Sequence, residues 1–142
     1  MTFAIRHITP ANTHLLDRVA ADVFDEEMQP ERLAAFLADA NHAMFVAVEA
    51  GVVIGQIRGN VHLQPDRASD LYIDNLGTAP GHQRRGIASG MIRALIAWGR
   101  ERGCTYVWVA TETDNEGGIA FYESQRFERR LLEWFASEID AT

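Results

Sequence analysis

The sequence predicts an α/β domain of α+β character, a mixed and mostly antiparallel sheet with helices on both faces. Three observations carry the prediction. Two β-rich runs in the first half flank Glu49-Ala50-Gly51 as a hairpin would. The second half alternates strand and helix patterns, and such crossovers make neighbouring strands parallel. The 142 residues, 47% of them apolar, are enough for one core and too few for two, so residues 1–142 are expected to form a single domain.

The elements follow in order. "FAIRHI" alternates and predicts a first strand. Thr9-Pro10 supplies an N-cap and a first-turn proline, so a helix is expected behind it, with Leu15, Leu16, Val19 and Val23 on one face. "VFDEEMQPERL" breaks that pattern, and Pro30 opens a second short helix carrying Leu33, Phe36 and Leu37. "AMFVAVEAGVVIGQIRGNVHL" is the hairpin, "QPDRASD" a loop and "LYIDNLGT" a fourth strand. After the turn "APGHQRRG" comes a long helix reaching about Arg102 and closed by Gly103. Its buried face is Ile87, Met91, Leu95 and Trp98. "TYVWVAT" is a strand, "NEGGIAFYESQ" a helix and "FERRLLEWFA" a sixth strand.

Composition narrows the function. A net charge of −7 argues against a nucleic-acid partner. The acids cluster at Asp25-Glu26-Glu27, at Glu112, Asp114 and Glu116, and at Glu133, Glu138 and Asp140. Each cluster alone reads as solvated surface, and together they favour a cationic small molecule. No apolar run approaches the roughly 20 residues of a membrane span, and "MTFAIRHITP" lacks a signal peptide's apolar core. The single cysteine, Cys104, forms no internal disulfide and suits a reducing cytoplasm, where it is expected to be a plain buried thiol.

The junction "GHQRRGIASGM" carries the chemistry. The first amides of a helix have no internal partner and sit at the positive end of its dipole. Gly81 and Gly86 let the loop curl and a ligand approach the backbone, and Arg84 and Arg85 add full charge. The pattern predicts a pocket for a pyrophosphate-like anion, with a merely capped helix as the plainer reading. Neither G-x-x-x-x-G-K-[ST] nor G-x-G-x-x-G occurs, which excludes nucleotide sites of those types.

Gln83-Arg84-Arg85-Gly86-Ile87-Ala88 resembles the Q/R-x-x-G-x-G/A signature of GNAT-type N-acetyltransferases. "NEGGIAFYESQRF" resembles that family's N-x-x-A-x-x-x-Y-x-x-x-G-F segment, with Asn115 and Tyr122 in register. The order of elements agrees along nearly the whole chain. The resemblance implies a sheet of six to seven strands, split between the fourth and fifth so that the arm of acetyl-CoA slots in. It implies that Arg84, Arg85, Gly86, Ile87, Ala88 and Ser89 face the pyrophosphate. Leu76, Gly77 and Thr78 would give backbone contacts beside a bulge at Gly77, and Asn115 would bond the pantetheine arm or acetyl region. Two positions depart from the pattern: Gly118 stands for an alanine, and Arg126 stands for a helix-ending glycine, so that exit is expected to be built differently. The chain after "EWFASEIDAT" leaves little room for a seventh strand, and a homodimer partner could cover the edge.

Acetyl transfer to an amine needs a base, because an alkylammonium has a pKa of about 10.4. It also needs oxyanion donors and an acid for the leaving thiolate. Tyr122 reads by itself as a core tyrosine beside Phe121; by the resemblance it is the acid. Asp74, one residue pair from Tyr72 on the same strand face, is the candidate base or amine binder, since a carboxylate facing a core is costly unless it is used or paired. His62 is the second candidate and an ordered water the third. His7, His14, His42 and His82 show no pairing by spacing, and no metal site is expected. Within the family the sequence resembles the small aminoglycoside 3-N-acetyltransferases, with Asp25, Glu26 and Glu27 meeting the polycation and the amine attacking directly in a ternary complex. The rivals are another small amine or a peptide amine as acceptor, and an acyl-CoA-binding sensor without turnover.

Overall fold

A computed structural model describes residues 2–140, which fall into two compact units, one ending at Ala110 and one starting at Thr111. The first unit holds strands β1 (Ala4–His7), β2 (His42–Glu49), β3 (Val52–His62), β4 (Asp70–Thr78) and β5 (Tyr106–Trp108). It also holds helices α1 (Pro30–Ala38) and α2 (Ile87–Glu101) and one 3-10 turn, Thr13–Asp17. The strands lie in the order β1-β2-β3-β4-β5, antiparallel up to β4 and parallel between β4 and β5. The sheet thus mixes hairpins and a crossover as expected, with five strands among the described residues in place of six to seven.

α2 covers one face. A Cβ at Gly55 would stand 3.0 Å from Met91 Cε, and one at Gly59 only 2.7 Å from Leu95 Cδ2, so these two glycines let the helix settle onto β3. Ile57 between them, with Met91 and Leu95 above, is fully buried, each such side chain contributing about 1.5–3 kcal/mol by leaving water. The opposite face carries Met44 and Arg58, cross-strand partners, and meets Phe36 of α1.

Two expected elements differ. The helix after Pro10 is only the 3-10 turn, because the chain beyond it is bound in extended form: Ala20 N–H donates to Val53 C=O and Val53 N–H to Arg18 C=O, both at 2.9 Å. Those bonds make Val19 and Val53 a parallel bridge, which a helix through Val23 would break. The sixth strand is absent from the second unit: beyond helix α3 (Glu116–Ser124), residues 127–140 carry no regular element. "LLEWF" is apolar on both faces, and a strand needs a ladder partner that this unit does not contain.

Candidate active site

The turn before α2 is built by handedness. Gly81, Arg84 and Gly86 have φ of +85°, +64° and +80°, while Arg85 between the last two keeps ordinary φ. That alternation turns successive N–H groups toward one side as an anion nest. Gly86 is the N-cap of α2, and Gly90 N–H closes the first turn onto Gly86 C=O at 2.9 Å. The amides ahead of Gly90 have no acceptor inside the helix. A Cβ at Gly86 would meet nothing within 4 Å, so glycine is needed here for its backbone conformation and for open approach.

The two arginines part company. Arg84 is exposed on the turn. Arg85 forms a two-pronged ion pair with the buried carboxylate of Glu49 at the end of β2. His82 Nδ1, 2.8 Å from Arg85 Nη1, accepts from it when neutral and lies 3.9 Å from Glu49 Oε1. The hydrogen bonds from Arg85 hold the Glu49 carboxyl below its ordinary pKa, outweighing the burial that would raise it. Arg85, expected on the pyrophosphate, is therefore tied to the sheet and fixes the turn. Ile87 is 1% exposed and packs under Gly55, which leaves only its amide for a ligand; Ala88 and Ser89 are half-buried in the same first turn.

β4 carries the expected bulge at a different residue. Arg58 pairs with Asn75 and Gly59 with Ile73, so Asp74 is the extra residue, while Gly77 pairs in register with Gln56. Gly77 is required by a close approach instead: a Cβ there would stand 2.4 Å from Val23 C=O. β4 and β5 pair only from Asp70–Tyr106 to Tyr72–Trp108. On its β5 side, β4 beyond Tyr72, including Leu76, Gly77 and Thr78, has no ladder partner among the described residues. This is the expected opening between the fourth and fifth strands.

Asp74 is exposed at its bulge and does not face a core, so the expectation based on the cost of burial is withdrawn. Tyr72 is its charged neighbour's reporter: burial, then the Asp74 charge, raises the Tyr72 pKa, and its ring tilts over Trp108 at 4.4 Å. His62 belongs to another cluster. Its Nδ1 is 3.8 Å from Asp70 Oδ2, and Asp70 also accepts from Trp108 Nε1 at 2.7 Å and Gln64 Nε2 at 3.1 Å. Burial alone would raise the Asp70 pKa; the Gln64 and Trp108 hydrogen bonds with the nearby His62 and Arg67 charges reverse it. His62 lies three residues along β3 from Gly59, roughly 10 Å from the bulge at about 3.3 Å per residue. The structure therefore separates the two base candidates. His42, too, has a partner, Asp39 at 3.4 Å.

Asp25, Glu26 and Glu27 line one cleft of about 400 Å³, shared with Phe36, Met44 and Arg58. A relay that runs outward from the core positions that acidic loop. Gln56 Nε2 donates to Val23 C=O at 3.2 Å and to Asn75 Oδ1 at 2.5 Å, and Asn75 Nδ2 donates to Asp25 Oδ2 at 3.1 Å. Asn75 follows Asp74 directly, so the bulge and the acidic loop are held together. Sequence reasoning missed Gln56, Arg58 and Asn75. The available signal was two polar side chains, Gln56 and Arg58, alternating with Gly55, Ile57 and Gly59 in the middle of an inner strand.

In the second unit Asn115 caps α3: its Oδ1 accepts from Gly118 N–H at 3.1 Å, and its Nδ2 donates to Thr111 Oγ1 at 2.8 Å. A Cβ at 118 would stand 2.4 Å from Asn115 Nδ2, so glycine in place of alanine gives the cap room. Tyr122 meets the rings of Phe121 and Phe127 at 5.2 and 5.6 Å. The helix exit corrects the expectation. Arg126 itself takes the left-handed conformation, φ +67°, with Phe127 N–H on Tyr122 C=O and Arg126 N–H on Glu123 C=O, both at 3.0 Å. This is a Schellman end made by a residue that pays about 1–2 kcal/mol for it.

Comparison with known proteins agrees with this geometry. A model of the "Acetyltransferase (GNAT) family" matches residues 9–127. N-acetyltransferase 8 of Rattus norvegicus is 25% identical over 96 residues, 67% of this chain and 43% of the rat protein, so the chain spans less than half of that relative. Aminoglycoside N(6')-acetyltransferase type 1 of Salmonella typhimurium is 25% identical over 119 residues, 84% of this chain and 74% of that protein. In fold, the chain matches an aminoglycoside acetyltransferase from an uncultured soil metagenomic sample, with TM-score 0.87 and 23% identity over 99% of this chain and 100% of that one. It also matches AAC(6')-Iy in complex with a bisubstrate analogue, TM-score 0.81 and 18% identity over 98% and 100%. The Salmonella protein and AAC(6')-Iy carry 6' names, in place of the 3-N subgroup expected from the sequence.

Proposed function

The chain belongs to the acetyltransferase (GNAT) family, and on that premise we propose that it is an acetyl-CoA-dependent N-acetyltransferase acting on a primary amine of an aminoglycoside, by direct attack with both substrates bound. The observation that carries the reading is the nest at Gly86, whose alternating handedness and unobstructed amides fit a diphosphate. Acetyl-CoA, once held there, supplies an activated acetyl thioester. Arg84 and the amides from Arg85 through Ser89 hold the diphosphate, with Gly86, Ile87 and Ala88 contributing backbone alone, and Arg85 keeps the turn in place through Glu49. The β5-facing edge at Leu76, Gly77 and Thr78 offers amides and carbonyls to the pantetheine arm, and the family resemblance assigns Asn115 to the same arm.

Asp74, exposed at the bulge beside the acidic loop, takes the proton from the amine directly or through water. Tyr122 protonates the departing thiolate. Asp25, Glu26 and Glu27 bind the acceptor's ammonium groups in the cleft, which is the chemistry the names of the aminoglycoside relatives support. A polyamine, amino acid or peptide amine is the second reading, and among these Arg32 and Arg58 in the same cleft favour the amino acid or peptide, since a polycation has to tolerate both charges. The large exposed apolar residues Leu131, Leu132, Trp134 and Phe135 support a homodimer that covers them, and the lone cysteine suits a cytoplasmic setting.

Thiol release on a panel of amines tests the reading. Release with aminoglycosides is expected, slowed by Tyr122→Phe and, about tenfold or more, by Asp74→Asn at unchanged acetyl-CoA affinity. Release with spermidine or a peptide alone removes the aminoglycoside, and coenzyme binding without release on any amine favours a sensor.

A further inference from the structure

Within the acidic cleft one side chain has the wrong charge for a polyamine and an unspent donor. Arg58 lies at mid-strand in β3, opposite the bulge formed by Asp74 and Asn75, and its side chain is half-buried in the cleft wall. Its Nε is fully buried and has no hydrogen-bond partner in the protein. A guanidinium cannot shed its proton to escape that penalty. Three carboxylates line the same cleft, yet none of the ion pairs among the described residues involves Arg58. Asp25 is already held by Asn75.

A second orphan lies two residues away on the same face of β3. Gln56 is wholly buried, and its Oε1 has no partner. Its orientation is not a matter of choice, because Val23 C=O can only accept and so must face the Nε2 side. Gln56 lies behind the wall, so Arg58 is the unmet group that lines the cleft, beside a loop of carboxylates. An all-amine ligand satisfies the acids and leaves the Arg58 guanidinium without an acceptor. A ligand with an oxygen near its amine satisfies both.

We propose that Arg58 is a specificity-determining residue whose guanidinium donates to an oxygen of the acceptor substrate, so that the acceptor presents a hydroxyl, ether or carboxylate oxygen near its amine. The inference rests on the cleft being the acceptor site. The shared chemistry is an oxygen acceptor; a sugar oxygen and a carboxylate are its two sources.

The test is calorimetric binding of neamine, spermidine, lysine and lysinamide to the wild-type protein and to Arg58→Met and Arg58→Lys. Both variants are expected to lose tenfold or more in affinity for the oxygen-bearing ligand and less than twofold for spermidine. Loss on neamine assigns the oxygen to the sugar; loss on lysine but not lysinamide assigns it to a carboxylate. Equal losses on spermidine and the oxygen-bearing ligands, no loss, or a gain for every amine would overturn the proposal. Failure of all four ligands to bind the wild-type protein would overturn it too. Should a variant misfold, the Arg58 Nε–H resonance of the wild-type protein replaces it: a shift with neamine or lysine and none with spermidine supports the proposal, and the reverse ends it. Acetyl-CoA binding is measured separately. Loss of thiol release with amine binding intact counts against the enzymatic reading, whereas intact release from an insensitive Arg58 variant counts against this inference alone.

Discussion

The turn proposed to hold the coenzyme and the cleft proposed to hold the acceptor lie beside one sheet, and they are built on opposite plans. The turn works through backbone: two glycines and Arg84 in left-handed conformation turn amides outward, and one ion pair, Arg85 to Glu49, pins the loop to β2. The cleft works through side chains, with Asp25, Glu26, Glu27 and Arg58 presenting charge and a relay from Val23 through Gln56 and Asn75 holding Asp25. A backbone site suits a group that never changes, as the diphosphate of a coenzyme would be. A side-chain site can be retuned to a new acceptor without disturbing the fold. The two should therefore fail separately.

The largest expected effect is at the turn. Gly86→Val forces a β-branched residue to φ +80° and crowds the amides, and acetyl-CoA affinity should fall about a hundredfold, the loss of roughly two charge-assisted hydrogen bonds. Titration calorimetry reads it, and acceptor affinity should stay as it was. Next comes Gly77→Ala, whose Cβ would collide with Val23 C=O and push the acidic loop away from β4. We expect a loss of about 2 kcal/mol in denaturant unfolding, with a raised KM for the acceptor. A third effect distinguishes the pin from the ligand site: Glu49→Gln touches no proposed ligand contact, yet should weaken acetyl-CoA binding about tenfold by loosening Arg85. Because folding lowers the Glu49 pKa, its contribution is complete above the ordinary value of 4.5 and is lost as pH falls through the depressed folded value. The stability gap between wild type and Glu49→Gln should accordingly hold at pH 7 and close only below pH 4.5, as followed by thermal melts across pH. The smallest effect belongs to the cleft: Asp25→Asn keeps the Asn75 contact in part and removes the charge, so acceptor KM should rise about fivefold with acetyl-CoA KM unchanged.

This contrast also explains how much of the molecule is legible in its sequence. The turn was legible because its requirement is local: "GHQRRGIAS" writes glycines, charge and a helix start within nine residues. The acidic run Asp25-Glu26-Glu27 was legible as charge, but its holder, Asn75, is 50 residues distant and joins it only through the sheet. The Arg85–Glu49 pair spans 36 residues and was hidden for the same reason. The bulge was expected at Gly77 since glycine marks either a bulge or a close approach, and only the register tells which; Asp74 turned out to be the extra residue. Leu15, Leu16, Val19 and Val23 fit a helical spacing, but bonds to Val53 took the backbone groups that a helix needs. Arg126 shows the converse limit, a left-handed turn made without the glycine that announces it.

The most direct measurement follows the backbone amides of the ¹⁵N-labelled protein while acetyl-CoA is added. The account predicts the largest shifts at Arg84, Arg85, Gly86, Ile87, Ala88 and Ser89, saturating together, with the Asp25–Glu27 amides answering only to the amine. Saturable coenzyme binding that leaves those six amides unmoved would contradict it.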